Sequence, residues 1–169
     1  MTPAHLPSNI IQCKTAHLVY LAGNMRATEQ EQFLAVTGAK QYDPEMGAHW
    51  LINVAARSGG FAFTAVLDDN RPAAAGGFEP ISPGVWQSWM VGTEEGWAQQ
   101  WRSITKASRW TAERIFESGA HRVQTTALVG RKEAIVWFQR SLGMHPEGIW
   151  RAFGANGEDF ASFSRLRGE

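Results

Sequence analysis

Val85-Trp86-Gln87-Ser88-Trp89-Met90-Val91-Gly92 is an apolar run rich in β-branched and aromatic residues and stopped by glycine, and it reads as a strand. Directly behind it Trp97, Trp101, Ile104, Thr111 and Ile115 recur at helical spacing. They predict a long helix from roughly Trp97 to Glu117, ended by Gly119. Upstream, Gly60 to Leu67 reads as a strand and Ala73 to Ile81 as its hairpin partner. Asp68-Asp69-Asn70-Arg71-Pro72 supplies the turn, and Pro80 and Pro83 bracket the far end. Downstream, His121 to Leu128 is a strand. Arg131 to Leu142 is a helix with Ile135, Phe138 and Leu142 inward, closed by Gly143. Strands near Gly148 to Phe153 and Phe160 to Ser164 finish the chain, joined by a turn at Gly154 to Gly157.

The first third adds a short strand at Asn9 to Lys14 and three helices. Thr15 caps the first, which places Leu18, Leu21, Ala22 and Met25 on one face. Thr28 and Glu31 have the spacing of a capping box for the second, which ends at Gly38. Asp43 to Arg57 holds the third. Antiparallel hairpins followed by a right-handed helical crossover imply an α/β chain with a mixed, mostly antiparallel sheet of six to seven strands, covered by helices on both faces.

Composition narrows the function classes. The 169 residues fit one domain, and 44% hydrophobic with 19% charged residues is a globular balance. Sixteen basic and sixteen acidic side chains cancel. Net charge therefore provides no field for nucleic acid or anionic lipid, and no apolar run is long enough for a membrane helix. Met1 to Asn9 lacks the apolar core of a leader. Cys13 is the only cysteine, which excludes an internal disulfide and suits a reducing compartment. The five histidines show no metal spacing. Eight tryptophans fill a core or offer an aromatic contact surface to a partner or a second copy.

The element order and several local stretches resemble the GNAT N-acetyltransferases. Ala134 to Met144 (AIVWFQRSLGM) is similar to their helix-then-Gly-aromatic segment, with Met144 where Phe is usual. Asn24-Met25-Arg26-Ala27-Thr28-Glu29-Gln30-Glu31 resembles the NMRxxDxxE segment of GNAT-like proteins of tailed bacteriophages. Ala75 to Pro80 and Trp89 to Thr93 look like that group's central strands. The resemblance covers about Ile10 to Leu166. It implies acetyl-CoA bound where the central strands part, with its diphosphate on free amides at the start of the long helix. It also implies an amine acceptor on a small molecule or protein, and a place in the bacterial host cytoplasm.

Carried onto this chain, the diphosphate signature falls on Arg102-Ser103-Ile104-Thr105-Lys106-Ala107. Arg102 and Ala107 match, and Thr105 stands where glycine is expected. The cofactor-binding candidates are thus Val91, Arg102, Ser103, Thr105 and Ala107. An alternative register starts the helix near Thr93 and brings Gly96 and Gln99 to the phosphate. Glu79 and Glu94 are the candidates for the base that takes the amine's proton. The tyrosine that protonates the leaving thiolate in many family members is replaced by Gln139, and Tyr20 and Tyr42 lie elsewhere. These departures leave a second reading beside the acyltransferase, a non-catalytic GNAT-fold component that contacts phage virion proteins.

Overall fold

The turn at Asp68 to Pro72 joins two paired strands, and the run from Val85 passes into the long helix after a single residue. The computed structural model describes residues 5–169. Residues 1–4, part of the stretch read above as lacking a leader, lie outside it. In chain order the elements are β1 (Ile10–Gln12), α1 (Thr15–Gly23), α2 (Ala27–Thr37), α3 (Pro44–Ser58), β2 (Ala62–Val66), β3 (Pro72–Ser82) and β4 (Val85–Gly92). There follow α4 (Glu94–Glu117), β5 (Arg122–Leu128), α5 (Lys132–Val136, running on as a π turn over Trp137–Ser141), β6 (His145–Trp150) and β7 (Phe160–Leu166). No helix among the described residues is long and apolar enough to cross a membrane.

The seven strands form one sheet in the order β1-β2-β3-β4-β5-β7-β6. Only β4 and β5 are parallel. Strand alternation sorts the core into two layers. Trp89 and Val91 of β4 pack with Leu18 and Leu21 of α1 and Leu51 and Val54 of α3. On the opposite face Phe78 and Val123 pack with Ile115 and Phe116 of α4 and Phe138 of α5, and Ile104 lies on Ala73 and Ala74. Small residues on β3 make the α4 layer tight. A side chain at Gly96 would run into the backbone of Ala73, and one at Gly76 into the Met90 side chain.

Several boundaries differ from the sequence reading. Helix α1 begins at Thr15 itself with Lys14 at the cap position, so Thr15 does not cap it. Helix α2 starts at Ala27, so Thr28 lies inside its first turn instead of capping it; the N–H of Arg26 is tied to the Gly92 carbonyl (3.2 Å), which fixes the chain there. Helix α4 starts at Glu94 because Thr93 Oγ1 accepts from Gly96 N (2.8 Å). The segment expected as one helix over Arg131 to Leu142 has α geometry only as far as Val136. Strand β6 is His145–Trp150, earlier than expected, since pairing with β7 begins at His145 opposite Ser164. As an edge strand β6 tolerates Pro146.

Candidate functional site

Strands β4 and β5 are hydrogen-bonded only at their starts, where Val85, Trp86 and Gln87 face Arg122, Val123 and Gln124. Beyond that point they part, and α2 fills the gap at their tips. Arg26, Glu29 and Gln32 recur every three residues and so share one face at the start of α2. The buried Glu29 carboxylate accepts from Gly92 N (3.0 Å) and from Trp97 Nε1 (3.1 Å), and Arg26 Nη2 donates to it (3.0 Å). One turn on, the Gln32 amide treats the edge of β5 as a strand would. Its oxygen accepts from Leu128 N (3.2 Å) and its nitrogen donates to the Thr126 carbonyl (3.4 Å). Arg131 Nη1 adds a third bond, to Gln32 Oε1 (2.8 Å). The strand edges are thus satisfied at the tips by side chains of α2.

What remains is a notch closed by strand pairing at one end and bridged by α2 side chains at the other, with a cavity of about 410 Å³. Its walls include Ser88 and Met90 of β4, Thr125 and Thr126 of β5, and the rings of Trp97 and Trp137. Since Gly92 turns its N–H and C=O toward α2, alternation turns those of Met90 toward the notch. The two indoles meet edge to face, with centroids 5.2 Å apart at 84°. Trp137 Nε1 donates to Thr105 Oγ1 (2.8 Å), which itself donates to the Trp101 carbonyl (2.7 Å). The Arg26 guanidinium lies 4.6 Å from the Trp97 ring centroid. A smaller hollow of about 80 Å³ on the α3 side shares Gln32, Met90 and Arg131 with the notch as walls and has Glu29 as a wall of its own. Burial holds the Arg131 pKa below its usual value; the nearby Arg26 charge acts in the same sense and Glu29 against it.

The sequence-derived candidates fall largely outside this cavity. Val91 points into the α1–α3 core, and by the same alternation its backbone faces Ala75 on β3 and turns away from the notch. Arg102, Ser103, Thr105 and Ala107 lie in the third and fourth turns of α4, where helix carbonyls take the amides. Arg102 is exposed over the Trp101 ring and Ala107 is core. Of these, Thr105 alone reaches the site, through its bond to Trp137. Glu79 bonds to Arg57 (2.5 Å) on the α3 face, opposite Gln87 at the closed end of the strands. Glu94 is exposed in the first turn of α4. In the alternative register, Gly96 N is already given to Thr93 and Gln99 Nε2 bonds to Glu95 Oε1 (3.2 Å). Gln139 is exposed on the π turn. Tyr42 donates to the Ala22 carbonyl (2.6 Å), and burial, with Asp43 and Glu29 adding, pushes its pKa up to about 12.

No protein-family model matches the sequence, and no curated protein does. Solved structures do. The ribosomal-protein-alanine N-acetyltransferase of Brucella melitensis superposes with a TM-score of 0.66 at 16% identity, over 93% of this chain and 98% of that one. A GNAT-family acetyltransferase of Bacillus anthracis gives 0.69 at 13% identity, over 95% of each chain. The chain has the GNAT fold. A GNAT phosphinothricin acetyltransferase of Sinorhizobium meliloti, solved with acetyl-CoA, is similar at a TM-score of 0.67 and 15% identity, over 93% of this chain and 86% of that one. In this GNAT fold the parted strands are β4 and β5. The residues that line their notch and went unread in the sequence are Gln32 and Arg131. Arg26, Glu29 and Trp137 stood inside quoted resemblances, but the hold of Glu29 on Gly92 and Trp97 is a long-range contact that the local i,i+3 spacing of its pair with Arg26 does not reveal.

Proposed function

We propose that this chain is an acyl-CoA-dependent N-acyltransferase that receives the pantetheine arm of its donor in the β4–β5 notch. The observation that carries the reading is the parting of two parallel strands after three paired residues, beside a cavity large enough for a slender amide-bearing chain. Met90 supplies an N–H and a C=O on that edge, the groups with which a strand pairs to an amide. Trp97 and Trp137 give the arm apolar walls and exclude water. Bound acetyl-CoA would supply a thioester carbonyl already activated toward an amine. The acceptor is an amine on a small molecule or protein, approaching from the α3 side, where the smaller hollow adjoins the notch. The likeness of Asn24 to Glu31 to tailed-phage proteins supports a phage or prophage origin.

The test is a thermal shift with acetyl-CoA. A ligand that binds only the folded chain at a hundred times its Kd adds about 2.7 kcal/mol, a rise of several degrees in Tm. Met90→Pro removes the N–H on the notch edge and is expected to abolish the shift. An unchanged Tm in the wild type at millimolar acetyl-CoA would sink the proposal and return the non-catalytic reading.

A further inference from the structure

We propose that Arg26 and Arg131 form a phosphoryl-binding site at the mouth of the notch, made of side chains where GNAT resemblance alone points to helix amides. The inference rests on the acyl-CoA reading only for the source of the phosphoryl group, not for the site itself.

Two observations carry it. First, Arg131 is largely buried, lines the cavity, and has one side-chain partner, the neutral amide of Gln32. Among the described residues no carboxylate lies within ion-pair distance of it. A guanidinium taken out of water without a counter-charge is costly, and an anion arriving in the cavity removes that cost. Second, Arg26 Nε is buried with no hydrogen-bond partner, although the same guanidinium uses Nη2 on Glu29 and lies over Trp97. Arg26 also lines the cavity. Glu29 is paired with Arg26 alone, so the Arg131 guanidinium has no ion-pair partner of its own. On the same rim the exposed Lys132 and Glu133 offset each other, so the unpaired charge rests on Arg131.

The start of α4 is built the other way. Thr93 takes the Gly96 amide, and Glu94 and Glu95 put two carboxylates in the first turn. Their charge opposes a phosphate there, whereas planar guanidinium groups donate in pairs to phosphate oxygens.

Titration calorimetry of the full chain tests this with three probes: pyrophosphate, acetyl-CoA and S-acetylpantetheine, which has no phosphate. Wild type is expected to bind the first two, and Arg131→Gln to weaken both by about tenfold or more, the loss of one charge-assisted bond. S-acetylpantetheine is expected to be indifferent to the substitution. Acetyl-CoA binding unchanged by Arg131→Gln overturns the site and leaves the acyltransferase reading standing. Pyrophosphate binding without acetyl-CoA binding supports the site with free phosphate as its source and ends the acyl-donor reading. If Arg131→Gln folds too poorly to titrate, the wild type decides by salt. A site of two cations must lose pyrophosphate affinity between low and high ionic strength, and a salt-independent affinity overturns it.

Discussion

The two ends of β5 are joined to the rest of the molecule by different means. At its start, β5 pairs with β4 by main-chain bonds. A line of side chains repeats that link across the sheet. Gln124 bonds to Gln87 (3.0 Å), Arg122 to Gln124 and to Glu147, and Glu147 to Ser164. At its tip β7 still pairs along one edge, but no strand lies along the edge that faces β4, and two α2 side chains hold the edges of β4 and β5 there. The closed end is redundant, with backbone beneath side chains. The open end depends on Glu29 and Gln32, and that dependence is the condition for a cavity between the strands.

The largest effect is therefore expected at Glu29. Glu29→Ala leaves Gly92 N, Trp97 Nε1 and Arg26 without their acceptor, and loss of one partner from a buried charged pair costs about 3–5 kcal/mol. Urea denaturation measures it; a loss under about 1 kcal/mol would mean that the tip is held by something else. Gln32→Ala is milder, at about 1–3 kcal/mol for a β5 edge left half-satisfied. Hydrogen exchange at Leu128 should quicken while exchange at Gln124 does not, and equal changes at both would erase the contrast.

The smallest effect belongs to the closed end. Hydrogen bonds from Arg122 and Ser164 hold the Glu147 carboxyl down at about 2. Its folded pKa lies below the unfolded one, so its contribution is present above the ordinary carboxylate range and is lost as pH falls from there toward 2. The pair is substantially solvent-exposed, which limits the contribution to about 1 kcal/mol or less. Glu147→Gln should lower stability at pH 7 by that small amount and change it least near pH 2, which flattens the stability curve across the acid window. An equally steep acid loss in the variant would assign it to other carboxylates.

The fold was legible wherever local pattern decides it. Asp68 to Pro72 marks its turn by composition, and the Ile104, Thr111 and Ile115 spacing marks α4, because these signals act within a few residues. The failures have physical causes as well. Large apolar residues point to a start of α4 near Trp97, but the alternative start near Thr93 is the one observed, with the cap four residues before Trp97 and Glu94 and Glu95 behind it. The phosphate signature falls on Arg102 by residue type alone, and that match says nothing of where the helix amides are free. The site was least legible, since Glu29 acts on Gly92 and Gln32 on Leu128, partners that no periodicity connects.

Those partners also set an order of assembly. Gln32 leaves the ribosome 96 residues ahead of the Leu128 amide it receives, and Glu29 leaves 63 ahead of Gly92. A nascent chain folding from its first residues can lay α1 and α3 on the β2–β4 hairpins early. The rim of the notch waits for β5, so the part of the molecule suited to a ligand is among the last to take shape.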